Sequence, residues 1–164
     1  EEIFLKIFPH LESMYTEAKW KQEITFYRGS QAIKLLLDNV LDRKAVNRVI
    51  GAQVLYPPYD EIIRRYHQKR IKNKIHENLI FDPKAKERGI EVSKMPYAEV
   101  RFFPIEYSSP LSVNIYDGKV ALLVYAKKDP VSVMIKDERI YTGFLKYFEV
   151  IWNSSIKIDD LMKS

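Results

Sequence analysis

Leu111 to Trp152 reads LSVNIYDGKVALLVYAKKDPVSVMIKDERIYTGFLKYFEVIW, and the fold turns on this stretch. Asp117-Gly118 stands between two runs rich in β-branched and apolar residues. Both residues tolerate positive φ, which a two-residue type I′ turn requires, so Leu111–Tyr116 and Lys119–Tyr125 are predicted to pair as a hairpin. Asp129-Pro130 marks a second turn, Val131–Lys136 a further strand, and Asp137 an N-cap. Beyond it Ile140, Phe144, Tyr147, Phe148 and Ile151 recur at helical spacing, which predicts a final helix with one apolar face.

Upstream the pattern alternates. Ile24–Tyr27 reads as a short strand, Arg28-Gly29 as a turn, and Ser30 as the cap of a helix carrying Ile33, Leu36, Leu37, Val40 and Leu41. Ala45–Leu55 is rich in β-branched residues and predicts a buried strand. Tyr56-Pro57-Pro58 forces a loop, because a proline pushes the residue before it out of the helical region, and Tyr59 to Lys74 resumes as helix. Asn78–Phe81 and Ala98–Phe103 read as strands, and Pro83–Arg88 as a short helix closed by Gly89. Strands alternating with helices, then a meander and a terminal helix, predict an α/β domain: a mixed β-sheet flanked by helices.

At the N-terminus Phe4, Phe8, Leu11, Tyr15 and Ala18 lie at 4-3-4-3 spacing, one apolar stripe on a helix that is secure from about Pro9. The stripe is expected to form a dimer or interdomain seam, or to pack on its own domain. The division read from the sequence is a connecting helix over 1–22, an α/β domain over 23–155 and a tail over 156–164. A chain beginning Glu-Glu is expected to be a piece of a longer protein.

With 164 residues, 46% of them hydrophobic and 30% charged, the chain belongs with globular proteins rather than disordered ones. No apolar run reaches the roughly 18 residues needed to span a bilayer, so no membrane partner is expected. Cysteine is absent, which excludes disulfides and thiolate metal sites and suits a cytoplasmic protein. His10, His67 and His76 lack metal-ligand spacing, and neither a metal nor a cofactor is expected.

The net charge of +5 is concentrated in Arg64 to Lys74, where Arg64, Arg65, Lys69 and Arg70 are candidates for phosphate or nucleic-acid contact, set against a solvated helix face. A second candidate site is the turn after the first strand. Free N–H groups at a helix N-terminus by a strand end favour anionic or hydroxyl-rich ligands. Arg28, Gly29 and Ser30 are placed there with Gln53 from the next strand, and Arg101 as a further candidate.

The hairpin also bears on catalysis. Phospholipase D-type hydrolysis uses a His nucleophile, a phosphate-neutralising Lys and an Asp, spaced H-x-K-x4-D. With Asp117 in the Asp position, Pro110 stands for the His and Ser112 for the Lys. His67-Gln68-Lys69 matches the first half of that pattern, but Lys74 replaces the Asp and the segment is predicted helical. No catalytic residue is therefore assigned, and the chain is expected not to be an enzyme.

Several short motifs resemble the C-terminal domain of TrmB-like transcriptional regulators. They are Tyr27-Arg28-Gly29 before an amphipathic helix, EVRFFP (Glu99 to Pro104), NIYDGKVAL (Asn114 to Leu122), Asp129-Pro130, VMI (Val133 to Ile135) and YFEVIW (Tyr147 to Trp152). Phe8-Pro9-His10-Leu11 is similar to that family's connection after its winged helix. The resemblance spans about Pro9 to Ser155. It implies a noncatalytic phospholipase D-like fold that senses an effector, a homodimer, and contact with DNA through an upstream winged-helix domain. A small polar ligand, a sugar or phosphorylated metabolite, is the effector class it suggests. A divergent phosphodiesterase or nuclease, and a module binding nucleic acid directly, are the alternatives.

Overall fold

The computed structural model describes residues 7, 9, 22–54, 56–106 and 109–163. Phe4, Phe8, Leu11, Tyr15 and Ala18 lie outside the described residues.

Among the described residues eight strands form one sheet: β1 (Glu23–Arg28), β2 (Asn47–Ala52), β3 (Glu77–Phe81), β4 (Ala98–Phe102), β5 (Leu111–Tyr116), β6 (Lys119–Val124), β7 (Val131–Lys136) and β8 (Ile156–Lys157). Their order is β1-β7-β6-β5-β2-β3-β4-β8. β2, β3 and β4 run parallel, while β5, β6, β7 and β1 form an antiparallel wing. The mixed sheet expected from the alternating pattern is thus present.

Strand periodicity sorts the side chains between two faces. Val49, Leu79, Phe81, Ala121 and Leu123 face α1 (Ser30–Arg43), α2 (Asp60–Lys72) and α3 (Lys86–Ser93), whereas Ile50, Ile80, Val113, Ile115 and Val120 face α4 (Glu138–Ser154). The result is a helix–sheet–helix sandwich with two core clusters beneath α1, α2 and α3 and one beneath α4.

The Asp117-Gly118 turn has φ of 42° and 76°, as the hairpin reading requires. Asp137 caps α4 by accepting from the backbone N–H groups of Arg139 and Ile140. Two local expectations need correction. Gly29, not Ser30, occupies the cap position of α1, and no side chain caps that helix. Gly89 does not close a helix but lies inside α3, where a Cβ would fall 2.5 Å from Cζ of buried Phe102, so the helix meets β4 at a distance only glycine permits. The segment 156–163 carries further structure. It adds β8 to the edge of β4 and a one-turn helix, α5 (Ile158–Leu161), whose Ile158 and Leu161 pack on the α3 core.

Candidate functional site

Strand alternation carries polar residues into the core beneath α1, α2 and α3. Glu77 shares its face with Leu79 and Phe81, Asn47 with Val49, and Ser112 and Asn114 with Tyr116. On α2, Ile63, Tyr66, His67 and Arg70 follow helical spacing on the side that meets the sheet. The two patterns converge on a cluster in which Asn47, Tyr66, His67, Arg70, Glu77 and Asn114 are all buried.

Glu77 is its centre. Its Oε1 accepts from the Tyr66 hydroxyl and from Asn47 Nδ2 (3.3 Å), and Asn47 Nδ2 also donates to Asn114 Oδ1 (3.1 Å). Its Oε2 lies 3.1 Å from Arg70 Nε in an ion pair. The alignment is not that of a hydrogen bond. Arg70 Nε instead donates to His67 Nδ1 (3.3 Å), and Arg70 Nη1 donates to the carbonyls of Ile75, Pro96 and Tyr97. Among the described residues Glu77 Oε2, Arg70 Nη2 and Asn47 Oδ1 make no hydrogen bond. Burial pushes the Tyr66 hydroxyl well above its ordinary value and lifts the Glu77 carboxyl, the latter against the pull of Arg70. Burial, reinforced by Arg70 and Arg88, lowers His67 to about 3, so its ring is neutral.

A cavity of about 120 Å³ opens beside this cluster. Tyr66, His67, Glu77, Arg88, Ser112, Asn114 and Gln53 provide polar wall, and apolar side chains such as Leu36, Val49, Leu79 and Leu123 provide most of the rest. Gln53 also lines a second, outer crevice of about 320 Å³ with Tyr56, Asp82, Lys84 and Pro110, at the carboxyl ends of β2 and β3. The approach of β5 to β2 makes this junction. Gly51 sits in a bulge at φ 78°, where a Cβ would lie 2.7 Å from the Leu111 carbonyl oxygen. The positions that match H-x-K in the hydrolase pattern therefore fall at the two spaces, Pro110 in the crevice and Ser112 in the cavity wall.

The candidate residues of the sequence reading do not meet. β1 lies four strand positions from β2, roughly 19 Å at the usual spacing, so Arg28, Gly29 and Ser30 are far from Gln53. Arg28 pairs through its guanidinium with Asp129 on the exposed edge, and the Gly29 N–H donates to the Pro130 carbonyl. Arg101 lies on the α4 face of the sheet. Its guanidinium sits 4.3 Å from the ring centroid of Trp152 and donates to the Trp152 carbonyl. Of that group, Gln53 lines both the cavity and the outer crevice.

The basic helix divides as well. Arg64 and Arg65 are exposed and share Glu61, and Lys69 is exposed. Arg70 is fully buried and cannot reach a phosphate at the surface, which corrects its assignment. Sequence reading missed the Glu77 cluster because its charges look like surface charges. The available signal was periodicity, with Arg70 seven residues after Ile63 and Glu77 two before Leu79. Among the described residues no group of three or more His, Asp or Glu side chains is placed to hold a metal ion.

No family model and no curated protein matches the chain. Solved structures do. NucT from Helicobacter pylori matches with a TM-score of 0.65 at 12% identity over 84% of this chain and 100% of its own. Nuc from Salmonella typhimurium, a phospholipase D family member, matches at 0.61 and 16% identity over 84% of this chain and 98% of its own. TrmBL2, an archaeal chromatin protein, matches at 0.57 and 16% identity over 96% of this chain and 64% of its own. At these identities the likeness is one of fold, and the fold is phospholipase D-like. It corrects one expectation. A phospholipase D family member has this architecture over nearly its whole length, so the replaced His and Lys of one hairpin do not support the reading that the chain is not an enzyme.

Proposed function

We propose that this chain is the effector-sensing and oligomerisation domain of a TrmB-like transcriptional regulator, reaching DNA through a winged-helix domain of the intact protein. The observation that carries the reading is the cavity of about 120 Å³ beside Glu77. Protein interiors pack with few voids larger than a water molecule and leave few buried polar atoms without a partner. Here a void coincides with Glu77 Oε2, which is ion-paired with Arg70 but makes no hydrogen bond among the described residues, at the meeting point of α1, α2, α3 and the sheet. A ligand seated there would touch four elements and bias their packing. That is the differential contact a sensor needs.

The likeness to TrmBL2 supports the regulatory part of the proposal, since the match covers 96% of this chain and TrmBL2 is an archaeal chromatin protein that binds DNA. The motifs around Tyr27-Arg28-Gly29 and Tyr147 to Trp152 point the same way. The test is a thermal-shift screen of small metabolites on this chain. A compound that binds only the folded state stabilises it by about 2.7 kcal/mol at a hundredfold excess over its Kd. At least one compound is expected to raise Tm in a concentration-dependent way, with amide shifts around Glu77. A broad screen in which no compound does so overturns the reading.

A further inference from the structure

The wall of the inner cavity defines its ligand more narrowly than the family resemblance does. Apart from the polar side near Glu77, the surroundings are apolar, supplied by residues such as Leu36, Val49, Leu79 and Leu123. A sugar would carry several hydroxyls into that environment, and each without a partner would cost about 1–3 kcal/mol. A phosphorylated metabolite would bring a second anion beside the Glu77 carboxylate, and Arg88, the cation in this wall, is already paired with Glu91 at 2.7 Å. Neither class suits this space.

The hydrogen-bond inventory specifies the polar end. Among the described residues Glu77 Oε2 makes no hydrogen bond, although it is ion-paired with Arg70 and its side chain is only 3% exposed. His67 Nδ1 accepts from Arg70 Nε, which requires a lone pair on Nδ1 and leaves the proton of the neutral ring on Nε2. The wall thus offers an acceptor at Glu77 Oε2 and a donor at His67 Nε2, one ring position beyond the Nδ1 that lies 3.8 Å from Oε2. A hydroxyl is the smallest group that both donates and accepts. The volume sets the body. An engineered apolar cavity of about 150 Å³ accommodates benzene, so about 120 Å³ suits a molecule of one small ring or a short branched chain.

We infer that the inner cavity binds a small molecule, apolar except for one hydroxyl, which donates to Glu77 Oε2 and accepts from His67. This rests on the effector-sensing reading and names the ligand class for the same site.

The experiment titrates the folded protein with phenol, benzene, glucose and glucose 6-phosphate, following backbone amide shifts by NMR. Phenol is expected to shift amides of Tyr66, His67, Glu77 and Ser112 and to bind at least about tenfold more tightly than benzene, the value of one hydrogen bond to a charged group. Glu77→Gln, if it folds, should reduce that advantage while leaving benzene binding in place. His67→Phe removes the donor and provides an independent variant, expected to weaken phenol severalfold relative to benzene. Benzene binding at the cavity as tightly as phenol overturns the hydroxyl class but leaves the cavity as the sensing site. Glucose or glucose 6-phosphate shifting these amides in place of phenol overturns the class in favour of a polar effector. If none of the four shifts them at millimolar concentration, the ligand class falls. The sensing reading is then decided by the metabolite screen.

Discussion

His67 shows how burial turns an ordinary side chain into a titration-sensitive one. Its ring meets Arg70 on its own helix, Arg88 on α3 and Glu77 on β3, and its pKa falls from 6.5 to about 3. The unfolded chain takes up this proton below about pH 6.5 and the folded chain only near pH 3. Stability therefore rises with pH across that window and is lost as pH falls through it. Glu77 acts in the opposite sense, since a carboxyl raised in the fold takes its proton before the unfolded chain does. The contribution of His67 between pH 6.5 and about pH 4 is on the order of 3 kcal/mol. Urea denaturation at a series of pH values should show the wild type losing more stability on acidification than His67→Phe, by about that amount. Parallel curves would mean that the folded protein holds His67 in its charged form. None of this was legible from residue type alone. In IIRRYHQKRIKNKIH the charges Arg64, Arg65 and Arg70 look alike, and only the helical interval from Ile63 separates the buried arginine from the two exposed ones.

Among the elements, α4 was the most readable, because an N-cap aspartate and a long apolar periodicity agree. Asp137 caps it, and Phe148, 3% exposed, stacks at 5.3 Å between ring centroids on Trp152 within the core shared with Ile80, Val113, Ile115 and Val120. Phe148→Ala should cost about 3–5 kcal/mol in reversible denaturation, the range for removing a buried aromatic ring. A loss below about 1 kcal/mol would show that this face is not closed by α4. Tyr147, read from the same periodicity, is 64% exposed: it lies one residue round from the buried stripe and packs edge-on against Phe144. Shorter elements gave weaker signals. Two residues, Ile156 and Lys157, are too few to show a strand period, so β8 was read as tail, and Gly89 followed by Ile90 looks like a helix end unless the Phe102 ring beneath it is known.

At the scale of the whole molecule, strand existence was legible and strand order was not. Sequence neighbours β1 and β2 are separated by β7, β6 and β5, because the first strand crosses to the antiparallel edge. That crossover separates Arg28 from Gln53 and moves the candidate site from the first turn to the space beneath α1, α2 and α3. It also leaves β1 at the edge directly after the N-terminal stripe. A domain that senses an effector for a regulator must pass the bias on, and the stripe Phe4, Phe8, Leu11, Tyr15 and Ala18 precedes that edge in the sequence. On the proposed reading they bury themselves against a second chain. A carboxylate taken into such a seam without a partner opposes association strongly. Leu11→Glu in the intact protein is therefore expected to shift sedimentation equilibrium towards monomer by at least about tenfold in Kd, with the circular dichroism spectrum and the effector's thermal shift on the monomer retained. An unchanged dimer with the fold intact would place the stripe against its own domain, and the seam would have to be sought elsewhere on the molecule.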